Sequence, residues 1–288
     1  MEKISVVIPT YNRHYLMDSN IKMYSKMSCV DEIIVIDDSE KEYPFNNDSK
    51  NVNIIYQRNE TKKGAAYNRF LGLKKAKNRY VLLSEDDIII DEAYLGSSLE
   101  LIKKNDCSAS SGQIIYLKKN EDIKTAKSRY FNQRSINSIF NRITLGVKPN
   151  KKFKEKTIVP YSHAVTLVDT LNFKNTYDFE LHAELMKYNG FREESVLQYA
   201  NTITGNKVLI SPEFLVYHLH KSKVKKGGQR VSILGQIKGK VINTYIFIKY
   251  FHNRDNKLGI ISPKTHMIFY ILFLMGEYII KTIKRVFK

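Results

Sequence analysis

Three short apolar runs, Ile4-Ser5-Val6-Val7-Ile8, Ile33-Ile34-Val35-Ile36 and Tyr80-Val81-Leu82-Leu83, each stop abruptly at a polar cluster. The runs are too short for helices and show little polar alternation, which is the pattern of strands buried on both faces. Residues 53–56 read as another short strand. Helical stretches lie between the runs: residues 14–27, with Leu16, Ile21, Met23, Tyr24 and Met27, and residues 63–76. Apolar strands alternating with helices predict an α/β chain with a parallel sheet covered on both faces. Ligands of such sheets bind beyond the carboxyl ends of the strands. The polar clusters collect at those ends: Thr10-Tyr11-Asn12-Arg13, Asp37-Asp38-Ser39 and Glu85-Asp86-Asp87.

Adjacent carboxylates repel, so the triplet Glu85-Asp86-Asp87 needs a reason. A divalent cation with hard oxygen ligands is the commonest chemical one. A solvated turn is the alternative. The length of 288 residues allows one large domain with an appendage or two smaller ones, and 43% hydrophobic residues supply a sizeable core. The net charge of +18 is unevenly placed: residues 221–288 hold 15 Lys and Arg but 2 Asp and Glu, or +13 of the total. A basic tail on a nearly balanced body predicts an anionic partner for the tail, a membrane surface or a polyanion. Cys29 and Cys107 form no spacing pattern, which argues against a disulfide framework or a zinc site and for a reducing cytoplasm. The N-terminal apolar run is too short for a signal-peptide core.

Further along, residues 92–106 read as a helix and 113–117 as a strand. Residues 118–157 read as a long, partly helical excursion. Strand-like residues surround His163, and 179–188 is a short helix ended by Asn189-Gly190. Glu193-Glu194 opens the next helix, and Gly205 closes it. Two strands, 207–210 and 215–218, flank Pro212. In 231–251 the apolar positions Leu234, Ile237, Val241, Tyr245, Ile248 and Phe251 have helical spacing. Residues 267–280 are almost wholly apolar but shorter than the ~20 residues of a spanning helix. An interfacial helix fits them best, with a helix packed on the main domain or a single span as the other readings.

The ordered segments Val6-Val7-Ile8-Pro9-Thr10-Tyr11-Asn12-Arg13, Ile34-Val35-Ile36-Asp37-Asp38-Ser39 and Ser84-Glu85-Asp86-Asp87 together resemble the family-2 inverting glycosyltransferases, over roughly residues 4–220. The resemblance implies the Rossmann-like α/β GT-A fold, with a mixed, mainly parallel central sheet and helices on both faces. It implies a catalytic domain over 1–222, followed by a basic, apolar helical tail over 223–288 at the membrane surface. Pro9, Thr10, Tyr11 and Arg13 would cradle the nucleotide base and ribose, although Pro9 is equally well a strand stop. Asp38 would contact the base. Lys63-Gly64-Ala65-Ala66-Tyr67-Asn68-Arg69 is similar to a family helix start that puts Arg69 on the diphosphate, where its planar fork suits phosphate oxygens. Phe70 stands where the family has asparagine. Glu85 and Asp86 would serve the nucleotide sugar, and Asp87 would bind Mn²⁺ or Mg²⁺.

Downstream, Tyr188-Asn189-Gly190-Phe191-Arg192-Glu193-Glu194 resembles the family's catalytic-base region, which puts Glu194 on the base and Glu193 beside it. Both residues could instead merely favour a helix N-terminus electrostatically, and Val196 replaces a usual aspartate. Val216-Tyr217-His218 resembles the family's closing segment, with His218 as a metal or diphosphate ligand and His220 as its competitor. The implied activity is inverting transfer from a nucleotide-diphosphate sugar, UDP by family default, to a hydroxyl of a glycan, polysaccharide or lipid-linked acceptor. The implied setting is cytoplasmic and peripheral, at the inner face of the membrane. Two alternatives remain at this point. A sugar-phosphate nucleotidyltransferase should carry a Gly-rich loop after the first strand, and residues 9–16 contain no glycine. A non-enzymatic polyanion binder has only the tail charge in its favour, and no nucleic-acid-binding signature is present.

Overall fold

The first apolar run becomes β1 (Ile4–Thr10), whose seven residues are all buried. A computed structural model describes residues 2–44, 51–90, 92–132, 153, 155–174, 178–188, 190–220, 232–254, 260 and 262–286, without the side chains of 92, 233, 277 and 280–286. Parallel partners flank β1: β2 (Val30–Asp37) on one side and β4 (Tyr80–Leu83) on the other, with β3 (Asn53–Arg58) outside β2. Alternate residues of these strands point to opposite faces. Ile4, Val6, Ile8, Ile33, Val35 and Leu82 share one core with Leu16, Met17 and Tyr24 of α1 (His14–Ser25) and Tyr94, Leu95 and Leu99 of α3 (Glu92–Asn105). Val7 faces the other way, towards α2 (Ala65–Lys75). A Cβ on Gly72 would lie 2.2 Å from a Val7 methyl, so glycine sets how closely α2 approaches the sheet. Helices thus cover both faces, as the unbroken apolar runs predict.

Four further strands, β5 (Ile88–Ile89), β6 (Ala109–Tyr116), β8 (Thr166–Asp169) and β9 (Val208–His218), extend the sheet in the order β3-β2-β1-β4-β8-β6-β9-β5, with β7 (Thr157–Val159) paired to β9. Parallel pairing is concentrated in β1 to β4. Beyond them, β8 (Thr166–Asp169) runs antiparallel to both β4 and β6 (Ala109–Tyr116). The two strands expected around Pro212 are one strand, β9 (Val208–His218), parallel to β6. Its register slips between Ser111↔Ile210 and Gln113↔Leu215, so a bulge absorbs Pro212, which has no N–H for the ladder. His163 lies outside the strands, in the stretch between β7 and β8. Within the 118–157 excursion, α4 (Ile123–Phe131) is capped by Asp122, whose side chain accepts from the Thr125 N–H. Residues 133–150 and the basic connector 221–230 lie outside the described residues.

The chain divides into two compact units, the first of residues 1–136, 149–178 and 193–230, the second of 137–148, 179–192 and 231–288. The second therefore takes in α5 (Phe179–Met186) as well as the tail helices α7 (Ile233–His252) and α8 (Pro263–Val286). Inside it, the buried Asn243 donates to the carbonyls of Leu185 (3.0 Å) and Tyr188 (3.2 Å), satisfying the carbonyl end of α5. The predicted α7 stripe is buried only at its C-terminal end, at Ile248 and Phe251, joined by Phe247, Asn243 and Thr244; Leu234 is 79% exposed. Exposed on α8 are Ile268, Phe269, Ile271, Leu272, Met275, Tyr278 and Ile279. Among the described residues, no helix is long and apolar enough to cross a membrane.

Candidate active site

In the first unit, a cavity of about 380 Å³ opens at the carboxyl ends of β1, β2 and β4. It brings together Pro9 and Thr10 at the end of β1, Tyr11 and Arg13 after it, Asp38 after β2, Arg69 on α2, and Glu85, Asp86 and Asp87 after β4. Glu193 and His218 complete it from α6 (Glu193–Thr202) and β9. Glu194 is not among the lining residues. It is half-buried one position further along α6, near enough to Glu85 and Tyr116 for its charge to raise the pKa of both.

Local bonding explains how the acidic loop is held. Tyr24 and Asn20, one turn apart on α1, reach it together. Tyr24 Oη lies 2.6 Å from Ser84 Oγ, and Asn20 Nδ2 donates to the Asp86 carbonyl at 2.8 Å. The two-residue strand β5 (Ile88–Ile89) then pairs antiparallel with β9, setting Ile88 opposite His218. The Leu219 N–H donates to the Asp87 carbonyl at 2.8 Å. A residue 131 positions away in sequence is thereby delivered beside the triplet, which no local pattern could reveal.

The polar groups divide by what they already hold. Asp38 accepts from the Gly64 N–H (2.7 Å) and from Asn59 Nδ2 (2.8 Å). Gly64 has φ 94°, a left-handed conformation natural only to glycine, and it starts α2 where Arg69 needs it. Asp37 is fully buried and accepts from Ser39 and Tyr56, with His14 Nε2 2.7 Å away. Asp86 accepts from Thr10 Oγ1 (2.8 Å) and pairs with Arg13 Nη1 (2.6 Å), which also lies 2.8 Å from Asp87 Oδ2. Burial works against the Arg13 charge, but Asp86 and Asp87 outweigh it and raise its pKa.

Other groups keep unused capacity. Arg69 is 3% exposed; among the described residues its Nε has no hydrogen-bond partner and its ion pair to Glu85 is long at 3.6 Å. A buried N–H without an acceptor is costly, although the Glu85 and Glu193 charges both act on the guanidinium. Glu85, Asp87 and His218 each offer a ligand atom within 4.8 Å of the others. His218 Nδ1 is 3.2 Å from the Leu219 carbonyl, which fixes a proton there and leaves Nε2, 3.3 Å from Asp87 Oδ1, as a lone pair for a metal. Two carboxylates and an imidazole suit Mn²⁺, and Mg²⁺ less closely. Burial first, and the neighbouring Asp87 charge in addition, push Glu85 up to about 7 against the pull of Arg69. Burial likewise pushes Asp86 up to about 6, against Arg13. A cation would relieve both. Glu193 is different: burial pushes it up to about 7, while Arg69 and the Ala66 N–H, which donates to its Oε2 at 3.1 Å, oppose the rise.

Three participants escape sequence reading. Lys62, indistinguishable by composition from surface charge, lines the cavity with its Nζ 4.1 Å from the Tyr11 ring centre. Asn68 is buried one turn after Gly64 and accepts from Asn59 Nδ2 at 2.8 Å. Tyr116, the last residue of β6, lies against His218 with ring centres 5.0 Å apart.

The parallel β-strand core, with Glu85, Asp87 and His218 together at its carboxyl edge, resembles solved structures of the GT-A fold. GalNAc-T7 with UDP, GalNAc and Mn²⁺ superposes with a TM-score of 0.56 at 17% identity, covering 88% of this chain and 50% of that one. S. aureus TarS 1–349 gives 0.53 at 14%, covering 87% and 72%. The mannosyltransferase PcManGT from Pyrobaculum calidifontis, in complex with GDP-Man and Mn²⁺, gives 0.53 at 11%, covering 96% and 74%. The family model for Glycosyl transferase family 2 matches residues 5–166, more than half of the chain, and the chain belongs to that family. An uncharacterized glycosyltransferase of Haemophilus influenzae is 27% identical over 103 residues, 35% of each protein, so the match spans about a third of that relative. The GalNAc(5)-diNAcBac-PP-undecaprenol beta-1,3-glucosyltransferase of Campylobacter jejuni is 27% identical over 221 residues, 68% of this chain and 67% of the relative. Membership of a glycosyltransferase family favours glycosyl transfer over the nucleotidyltransferase alternative.

Proposed function

We propose that the chain is an inverting, metal-dependent glycosyltransferase that uses a nucleotide-diphosphate sugar, UDP-linked by family default, and a hydroxyl acceptor on a glycan, polysaccharide or lipid-linked saccharide. The observation that carries this reading is the convergence of Glu85, Asp87 and His218 on one point, in a cavity that also holds the under-paired Arg69. Asp87 and His218, with Glu85, would hold Mn²⁺ or Mg²⁺. When bound, the ion supplies charge neutralisation for the departing nucleoside diphosphate. Arg69 binds diphosphate oxygens by charge-assisted hydrogen bonds. Tyr11 and Pro9 offer apolar surface to the base, while Thr10, Arg13, Asp38 and Asp86 shape the floor on which it sits. Glu194 takes the acceptor proton as the new bond to the anomeric carbon forms and the bond to the diphosphate breaks. One displacement inverts the anomeric centre. Glu193, already bonded to the Ala66 N–H, is a weaker base candidate than its neighbour. The acceptor class is supported by the C. jejuni relative, whose name specifies an undecaprenol-diphosphate-linked saccharide.

Measured on the full chain with Mn²⁺, Asp87→Ala should abolish metal-dependent UDP binding. Glu194→Gln should keep that binding and lower kcat about 10²–10⁴-fold. Transfer that survives Glu194→Gln removes the base assignment.

The domain division at about residue 222 and a cytoplasmic, peripheral location on an anionic membrane surface belong to the same reading. They are supported by the exposed apolar residues of α8 and the +13 charge of residues 221–288. Vesicles with anionic lipid should sediment the chain, and Ile268→Glu/Leu272→Glu should release it. Equal sedimentation of that variant would end the membrane assignment.

A further inference from the structure

Tyr116 ends β6 at the rim of the active site, and no step of the proposed transfer uses it. In the parallel pairing of β6 with β9 it stands opposite His218, and the two rings lie 5.0 Å apart, centre to centre, at 33°. The strand end is pinned from outside. Arg129 of α4 donates to the Tyr116 carbonyl at 2.9 Å and is itself held by Glu121 at 2.7 and 2.9 Å. The ring thus stands on a fixed backbone beside a fixed neighbour, which is the support a precise contact needs. Yet the residue is 44% exposed, and among the described residues its phenol makes no hydrogen bond.

A single exposed aromatic is ordinary on a protein surface, so its surroundings decide what this one can do. The charges of Glu85, Glu194 and Asp87 all act on the Tyr116 phenol. One of these neighbours is the proposed base, and the other two form the cation cluster with His218. Tyr116 also lines a second cavity of about 370 Å³, walled in part by Ile114, Ile115 and Leu117. That volume is in the range of small-ligand pockets. In-line displacement puts the acceptor hydroxyl beside Glu194, across the donor sugar from the departing diphosphate. Tyr116 offers an open aromatic surface at that place. A pyranose has a face of weakly positive C–H bonds, which complements the negative face of an aromatic ring. Its hydroxyls lie on the rim and stay free for a base.

We propose that Tyr116 is an acceptor-binding residue, whose ring stacks on the C–H face of a neutral hexopyranose and turns a hydroxyl of that sugar towards Glu194. The inference rests on the transferase reading, since it names the sugar class on the hydroxyl side of the same reaction. A sugar bearing a carboxylate would meet the Glu194 charge, so a neutral one fits. Stacking uses the ring and not the phenol O–H. Phenylalanine and tryptophan should therefore serve at this position where alanine cannot. A ring that only braced His218 would act on the metal site instead, and the two roles have different readouts.

The test uses the full chain saturated with UDP and Mn²⁺. The probes are the methyl α- and β-glycosides of glucose, galactose, N-acetylglucosamine and N-acetylgalactosamine, titrated by saturation-transfer NMR. At least one should bind saturably. Tyr116→Ala should weaken that binding about tenfold, and Tyr116→Phe should keep it within about twofold. The chain contains no tryptophan, so Tyr116→Trp supplies a single fluorescent reporter at the contact. It should bind the glycoside at least as tightly as wild type, and its emission should shift on saturation, which places the sugar on residue 116 rather than in the donor-sugar space. The Mn²⁺-dependent UDP affinity of Tyr116→Ala should change less than about threefold. A tenfold fall in that affinity would make the ring a brace for His218 and overturn the proposal. Equal loss in Tyr116→Phe and Tyr116→Ala, equal binding in all variants, an unshifted tryptophan, or no glycoside binding up to about 100 mM would overturn it too. Wild-type chain that fails to bind UDP with Mn²⁺ overturns the transferase reading, and this one with it.

Discussion

The β1–β2 wall of the cavity and its β4–β9 edge both carry charge, yet they spend it differently. On the wall, Asp37 and Asp38 are consumed by the protein itself: backbone N–H groups, Ser39, Tyr56 and Asn59 occupy their oxygens. On the edge, Glu85, Asp87 and His218 face one another without enough positive charge between them, and Arg69 keeps a buried nitrogen without a partner. Arg13, at the junction, already bridges Asp86 and Asp87. The contrast separates carboxylates that build the site from those available to a ligand. Residues of the same type, all at strand ends, fall on opposite sides of that division because of what the chain places around them.

The sharpest way to break this contrast is to delete one carboxylate from each side. Asp38→Ala removes the acceptor for the buried Gly64 N–H and for Asn59. Leaving those donors unsatisfied should lower unfolding free energy by about 2–4 kcal/mol in urea titrations. It should also misplace the start of α2, and with it Arg69. Asp87→Ala, measured without metal, should change stability by less than about 1 kcal/mol. It removes repulsion from Glu85 and Asp86 while Arg13 keeps Asp86 as its partner. Comparable losses in the two variants would show that the edge is scaffold as well.

Much of the wall was legible in the sequence, because local rules carry it. The runs Ile4–Ile8, Ile33–Ile36 and Tyr80–Leu83 announce strands buried on both faces, and their polar ends announce the cavity. The edge was legible only through its ordered resemblance to a family. His218 reaches Asp87 by way of a two-residue strand, β5, too short to leave a pattern. The bulge that turns two expected strands into one β9 depends on its neighbour β6 and not on Pro212 alone. Lys62 and Tyr116 look like ordinary surface and strand-end residues until the fold sets them against Tyr11 and His218. In the tail, the apolar spacing of α7 was visible, but the polar Asn243 and Thr244 on its buried side were not, since their partners lie in α5 and at residues 188 and 192.

Glu193 and Glu194 offer the finest version of the same contrast, because they are neighbours on one helix. Burial holds Glu193 at about 7, well above its ordinary 4.5, and the Glu194 charge adds to the rise. A carboxyl whose pKa is raised by folding binds its proton more tightly in the folded state. Its contribution to stability is therefore greatest near and below pH 4.5 and is lost as pH rises from there to about 7. A displacement of this size corresponds to at most roughly 3.4 kcal/mol across that window. Glu193→Gln keeps an oxygen for the Ala66 N–H and cannot ionise. Relative to wild type it should gain stability progressively between pH 4.5 and 7, then hold a constant advantage above. Chemical denaturation at a series of pH values reads this directly, and transfer by Glu193→Gln should fall far less than by Glu194→Gln. A flat difference between Glu193→Gln and wild type across the window, together with an equal loss of turnover, would exchange the roles of the two glutamates.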